Sequence, residues 1–214
     1  MEVAIAGGHG QIAVQLTQIL RDRDDRVRSI IRNAAHSDDI QAAGGKPVVC
    51  DLEAASETEV ASAVGSADAV VFAAGAGPGS GSARKETMDY GGAVRLIQAA
   101  RANDIGRYVM ISSTGADASV TGDDTFSVYL RAKGRADDDL IASGLDYTII
   151  RPVRLTNEPA TGLVRLGPSV GRGTISRADV AEIVATALVE DASIGKVFEA
   201  KTGDVPIAEA LRGL

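Results

Sequence analysis

Residues 3–20, VAIAGGHGQIAVQLTQIL, limit the fold more than any other stretch of the chain. Val3, Ala4, Ile5 and Ala6 form an apolar run without polar interruption, the pattern of a strand buried on both faces of a parallel sheet. After Gly10 the apolar residues fall at Ile12, Ala13, Leu16, Ile19 and Leu20, the spacing of one helical face. Three glycines therefore stand where a strand turns into a helix.

Two glycine patterns overlay this turn. Gly8-x-Gly10-x-x-Ala13 fits the dinucleotide fingerprint with its permitted final Ala, and Gly7-x-x-Gly10-x-x-Ala13 fits a wider-spaced form. Either way, small residues let the backbone turn tightly beside a pyrophosphate, while the helix start aims unpaired N–H groups and its positive dipole end at the anion. The second strand, read at Val27 to Ile31, ends on Arg32 rather than on the acidic residue that would hold a ribose 2′-hydroxyl. A guanidinium takes a 2′-phosphate in a fork of charge-assisted hydrogen bonds, so the expected cofactor is NADP(H), with NAD disfavoured.

Composition narrows the field around this site. With 214 residues, 45% of them hydrophobic, the chain can bury one substantial core, so a single domain over residues 1–214 is expected. A net charge of -7, without a basic stripe or interleaved aromatics, argues against nucleic acid or an anionic membrane as partner. The Asp137-Asp138-Asp139 run reads as a solvated helix face, not a metal site. A lone cysteine, Cys50, in the apolar run PVVC reads as a buried small hydrophobe. The first strand begins almost at once and no apolar run approaches membrane-spanning length, so the expectation is a cytoplasmic protein.

Strands and helices alternate along the chain, which predicts a doubly wound α/β fold: a mostly parallel, Rossmann-like sheet between two helical layers. KPVVCD, ADAVVFAAGAG, GRYVMISS, LDYTIIR and KVFEA read as further strands. Helices are expected at residues 57–64, 84–103 and 125–143, and over SRADVAEIVATALV with Ser176 as its cap. The GAGPGSG run reads as a loop, and residues 152–174 as an irregular insertion on the substrate side. In such a sheet ligands gather at the carboxyl ends of the strands. Asp51 with Leu52, then Ala73, Ala74 and Gly75, then Ser112 to Thr114, then Pro152 should therefore share one edge. Asp51 is read equally as an acceptor for an adenine amino group or as a loop cap.

Tyr129 and Lys133 in VYLRAKG stand four residues apart on a predicted helix, hence on one face. A cation near a phenol favours the phenolate and makes it a usable acid or base near neutral pH. A hydroxyl ending the fifth strand would hold the substrate oxygen, with Ser113 preferred over Ser112 and Thr114.

Taken together, GGHGQIA, VRSIIRN, CDLE, VVFAAGAG, DYGGAVRLIQAA, RYVMISS, YLRAKGRADDDLIASGLDYTIIRP and SRADVAEI resemble the short-chain dehydrogenase/reductase superfamily, specifically its atypical NmrA-like or flavin-reductase-like NAD(P)-binding members. The resemblance covers nearly the whole chain. It implies an NADP site built on Gly7, Gly8, His9, Gly10, Gln11 and Ile12, with Arg32 on the phosphate and Ser113, Tyr129 and Lys133 as the catalytic set. It further implies Lys133 on the nicotinamide ribose, and Pro152 with Val153 near the carboxamide. His9 stands where relatives carry Thr or Ser, and Val153 where many carry glycine. The implied activity is NADP-dependent reduction of a small carbonyl, quinone or flavin-type molecule. Its alternatives are a non-catalytic NADP(H)-sensing regulator and a nucleotide-sugar epimerase or dehydratase.

Overall fold

The computed structural model describes residues 1–77 and 79–214. In chain order the strands are β1 (Glu2–Ala6), β2 (Arg26–Ile31), β3 (Lys46–Val49), β4 (Ala69–Phe72), β5 (Arg107–Ile111), β6 (Asp146–Pro152), β7 (Arg154–Thr156), β8 (Leu163–Gly167), β9 (Thr174–Ser176), β10 (Lys196–Thr202) and β11 (Val205–Pro206). The helices are α1 (Gln11–Asp22), α2 (Ser37–Ala42), α3 (Glu57–Val64), α4 (Gly81–Arg84), α5 (Gly91–Ala102), α6 (Thr125–Ala142), α7 (Arg177–Ala187) and α8 (Ile207–Arg212).

Nine strands form one sheet in the order β11-β8-β10-β6-β5-β4-β1-β2-β3, while β7 and β9 pair separately. From β3 across to β10 every pairing is parallel. The chain first steps from β1 outward to β2 and β3, then returns to lay β4 on the other side of β1. That reversal opens a crevice at the carboxyl ends of β1 and β4, where doubly wound folds bind ligands.

Strand alternation divides the core between the two faces of the sheet. Val3 and Ile5 pack on one side with Leu16 and Leu20 of α1 and Val180 and Val184 of α7. Ala4 and Ala6 point to the other side, into a cluster with Val60 of α3, Leu96 of α5 and Leu140 of α6. Residues 3–6 are fully buried, as the unbroken apolar run requires. No helix among the described residues is long and apolar enough to cross a membrane.

Four local expectations are corrected. The helix expected from Arg84 starts at Gly81 and carries a π-helical turn, Lys85–Tyr90, ahead of α5. The wider turn shifts the phase of the helix and buries Lys85, Met88 and Asp89. Within residues 152–174, LVRLG is a regular strand, β8, antiparallel to β10 and edged by β11. Asp137 is fully buried, because the helical period turns it away from exposed Asp138 and Asp139 toward β5 and β6. Cys50 is half-buried just past β3 and lines a cavity, where burial pushes its thiol pKa up. The loop read at GAGPGSG includes Pro78, which lies outside the described residues.

Candidate cofactor and catalytic site

The glycine turn is shaped first by the chain's own packing. Gly7 has φ +78°, and a Cβ there would lie 2.6 Å from Ala74 Cα; at Gly8 it would lie 2.6 Å from Ser29 Cβ. These glycines let the β1–α1 turn nest between the ends of β4 and β2. Gly10 then serves as N-cap of α1 without any side-chain cap, and the first helical turn contains no acidic residue. Two other helices of this edge are closed by side chains, with Asp124 accepting from Phe126 and Ser127 N–H at α6 and Ser176 accepting from Asp179 N–H at α7, whereas the helix beginning at Gly81 is, like α1, without a side-chain cap. The amino end of α1 thus keeps unpartnered N–H donors and the uncompensated positive end of its dipole.

A cavity of about 780 Å³ lies against this turn, lined by Gly7, His9, Gly10, Arg32, Leu52 and residues 73–76 among others. Arg32 lies 3.6 Å from Glu53 through Nη1 and is otherwise largely exposed. Arg84, which sequence reasoning missed, lines the same cavity and donates to the same carboxylate at 2.6 Å. The Arg84 hydrogen bonds hold the Glu53 carboxyl below its usual range. Two guanidinium groups therefore share the Glu53 carboxylate here. His9 stacks on His36 with ring centroids 3.7 Å apart, and its Nε2 lies 2.8 Å from Asp39. Asp51 faces a neighbouring depression, and its Oδ1 accepts from Glu53 N–H. That contact is a turn within the loop, and the following helix, α3, is capped by Ser56.

Ala73, Ala74 and Gly75 also line a second cavity of about 530 Å³, together with Ile12, Lys85, Asp89, Ser112, Phe126, Tyr129, Lys133 and Pro152. The two cavities are thus joined along the end of β4. Tyr129 and Lys133 reach this second cavity from α6. Lys133 is 3% exposed and donates to Ile111 O at 3.2 Å. Its burial is balanced by Asp89, 3.7 Å away, whose other oxygen accepts from Ala76 N–H. The ammonium recorded over the Tyr129 ring is not Lys133 but Lys85, 5.4 Å from the centroid, while Lys85 Nζ also donates to Gly77 O. Lys85 and Asp89 were missed because the π turn that presents them leaves no mark in apolar periodicity. Asp89, an acid inside a largely apolar helix, was the one visible hint.

The serines divide. Ser112 lines the Tyr129 cavity, but its Oγ donates to Asp137 at 2.9 Å. Arg151 Nε donates to the same Asp137 oxygen, and burial pushes the Asp137 carboxyl pKa up despite both contacts. Ser113 donates to Thr114 O and lines a third cavity with Pro152 and Val153. Gln11 stands at the exposed start of α1 and Gly8 is buried in the turn. Alongside Tyr129, the structure thus gathers Ile12, Lys133 and Pro152, and it sets Ser113, Val153 and Asp51 in adjoining spaces.

A model of NAD(P)H-binding proteins matches residues 7–191 of this chain. The chain belongs to that NAD(P)H-binding family. A Bacillus subtilis relative named as an uncharacterised sugar epimerase, YhfK, is 39% identical over the full length of both chains. A solved Bacillus halodurans protein, provisionally described as an NAD-dependent epimerase/dehydratase, superposes with a TM-score of 0.92 at 38% identity, covering all of both chains. The Lactococcus lactis oxidoreductase ylbE gives 0.87 at 30% identity over all of this chain and 96% of its own. The uncapped end of α1, with its free N–H donors beside a cavity, fits the diphosphate of such a coenzyme.

Proposed function

We propose that this NAD(P)H-binding protein is an NADP-dependent oxidoreductase that reduces a small carbonyl, quinone or flavin-type substrate. The observation that carries the reading is the continuity of the two cavities: the open end of α1 with Arg32 lies at one end, and Tyr129 with Lys133 at the other, joined by Ala73 to Gly75. A nicotinamide coenzyme supplies the hydride. The N–H groups of residues 11–13 bind the diphosphate, Arg32 takes the 2′-phosphate, and Leu52 gives the adenine an apolar wall. Lys133 has three donors and commits one to Ile111 O, so the others hold the nicotinamide ribose. The Tyr129 hydroxyl exchanges a proton with the substrate oxygen. Phe126 and Leu155 give the Tyr129 cavity apolar walls. Ser113 touches substrate from the adjoining cavity, exchanging its hydrogen bond to Thr114 O for the substrate oxygen. Such an enzyme belongs in the reducing cytoplasm, where Cys50 stays a thiol.

The sugar-epimerase name of YhfK favours a second reading, in which the same Tyr129 and Lys133 act on a sugar without net consumption of coenzyme. A thermal-shift titration comparing NADPH with NADH, followed by aldehyde, quinone and flavin substrates at 340 nm, tests the proposal. Preferential stabilisation by NADPH and its stoichiometric oxidation are expected. Tyr129→Phe should keep NADPH binding and lose at least about 100-fold in turnover. Unchanged turnover in that variant removes Tyr129 from the mechanism, and NADH stabilising more strongly than NADPH removes Arg32 from the phosphate.

A further inference from the structure

Next to the Tyr129 cavity lies the space of about 760 Å³ that contains Ser113, and the two share Phe126 and Pro152. Two arginines line it: Arg154 at the start of β7 and Arg172 just ahead of β9. The parallel pairing of β7 with β9 sets Arg154 opposite Thr174, two residues beyond Arg172, and both arginines line this space. Neither makes a hydrogen bond or ion pair among the described residues, unlike Arg32, Arg84, Arg135 and Arg151, which each face a carboxylate. One carboxylate, Glu199, shares this space and accepts from Val170 N–H, and the two guanidinium groups outnumber it. Val153, Pro152 and Phe126 supply an apolar floor beside them.

We infer that this cavity is the anion-holding half of the substrate site, so that the substrate is an apolar molecule bearing a carboxylate, sulfonate or phosphate. Arg154 and Arg172 clamp the anionic group by paired hydrogen bonds while the reducible portion lies over Pro152 toward Tyr129. The inference rests on the oxidoreductase reading for the direction of the reacting end, and on the two arginines alone for the charge.

The test uses two fluorescent probes of one skeleton: 8-anilinonaphthalene-1-sulfonate, which carries an anion, and N-phenyl-1-naphthylamine, which does not. Each is titrated into the full-length protein with and without saturating NADP⁺. The sulfonate should bind at least tenfold more tightly than its neutral counterpart with the coenzyme site filled, and R154Q/R172Q should abolish that preference while binding NADP⁺ as the wild type does. Equal affinity of the two probes, absence of sulfonate binding, or a preference that survives in R154Q/R172Q overturns the inference. Failure of NADP⁺ to bind the wild type defeats the cofactor reading instead, and the coenzyme-free titrations then still judge the arginines.

Discussion

Helices α1 and α7 both present their amino ends to the carboxyl edge of the sheet, yet the two ends are built in opposite ways. At α7, Ser176 accepts from Asp179 N–H and the Asp179 carboxylate sits in the first turn, accepting in addition from Thr161 and Gly162 N–H. At α1 there is no side-chain cap and no acid. A capped helix end is complete without a ligand, whereas an uncapped one bordering a cavity leaves its donors for an anion. The contrast separates a helix end completed by its own side chains from one left open beside a cavity.

Changes at these ends should therefore have opposite balances of stability and affinity. The largest effect is expected at the turn that keeps α1 open. Gly8→Ala forces a Cβ to within 2.6 Å of Ser29 Cβ and should cost about 3 kcal/mol, read as a lowered denaturant midpoint, with NADPH binding lost as the turn shifts. Gln11→Glu supplies the missing negative charge at α1. NADPH affinity should fall by about tenfold in calorimetry while the coenzyme-free protein gains about 0.5 kcal/mol, since the new carboxylate satisfies the dipole that otherwise awaits the diphosphate. Ser176→Ala at α7 should do the reverse, losing about 1 kcal/mol of stability with NADPH affinity unchanged.

The subtlest prediction concerns pH. Burial raises the folded-state pKa of Asp137 above its ordinary 3.8, so the folded protein holds that proton more tightly than the unfolded chain does. Its contribution is most favourable in acid below 3.8 and is lost as pH rises through the raised value. Asp137→Asn lacks this titration and should gain stability relative to wild type as pH rises through that window, in parallel chemical denaturations. A wild-type-minus-variant difference that stays flat with pH removes the buried ionisation from the account.

The open end of α1 was legible in the sequence because it is a matter of omission: small residues, no Ser, Thr, Asp or Asn at position 10, and an apolar period resuming at Ile12. The mostly parallel sheet followed from the alternation of strands and helices, the two-sided burial of residues 3–6 from their unbroken apolar run, and the Ser176 cap from its place ahead of a helical period. What stayed hidden depends on contacts distant in the chain. A π turn that buries Lys85 and Asp89 adds one residue to a helical turn without altering composition. Asp137 looks like its neighbours until β5 and β6 deliver Ser112 and Arg151 to it. The strand LVRLG alternates over too few residues to stand out between glycines and prolines.

The central claim is that the amino end of α1 holds the coenzyme's diphosphate. Titrating NADPH into ¹⁵N-labelled protein tests it most directly. The amide resonances of Gln11, Ile12 and Ala13 should shift and saturate at one equivalent, while those of Arg177, Ala178 and Asp179 at the capped end of α7 stay in place. Unmoved amides at residues 11–13, or equal shifts at both helix ends, would contradict the account.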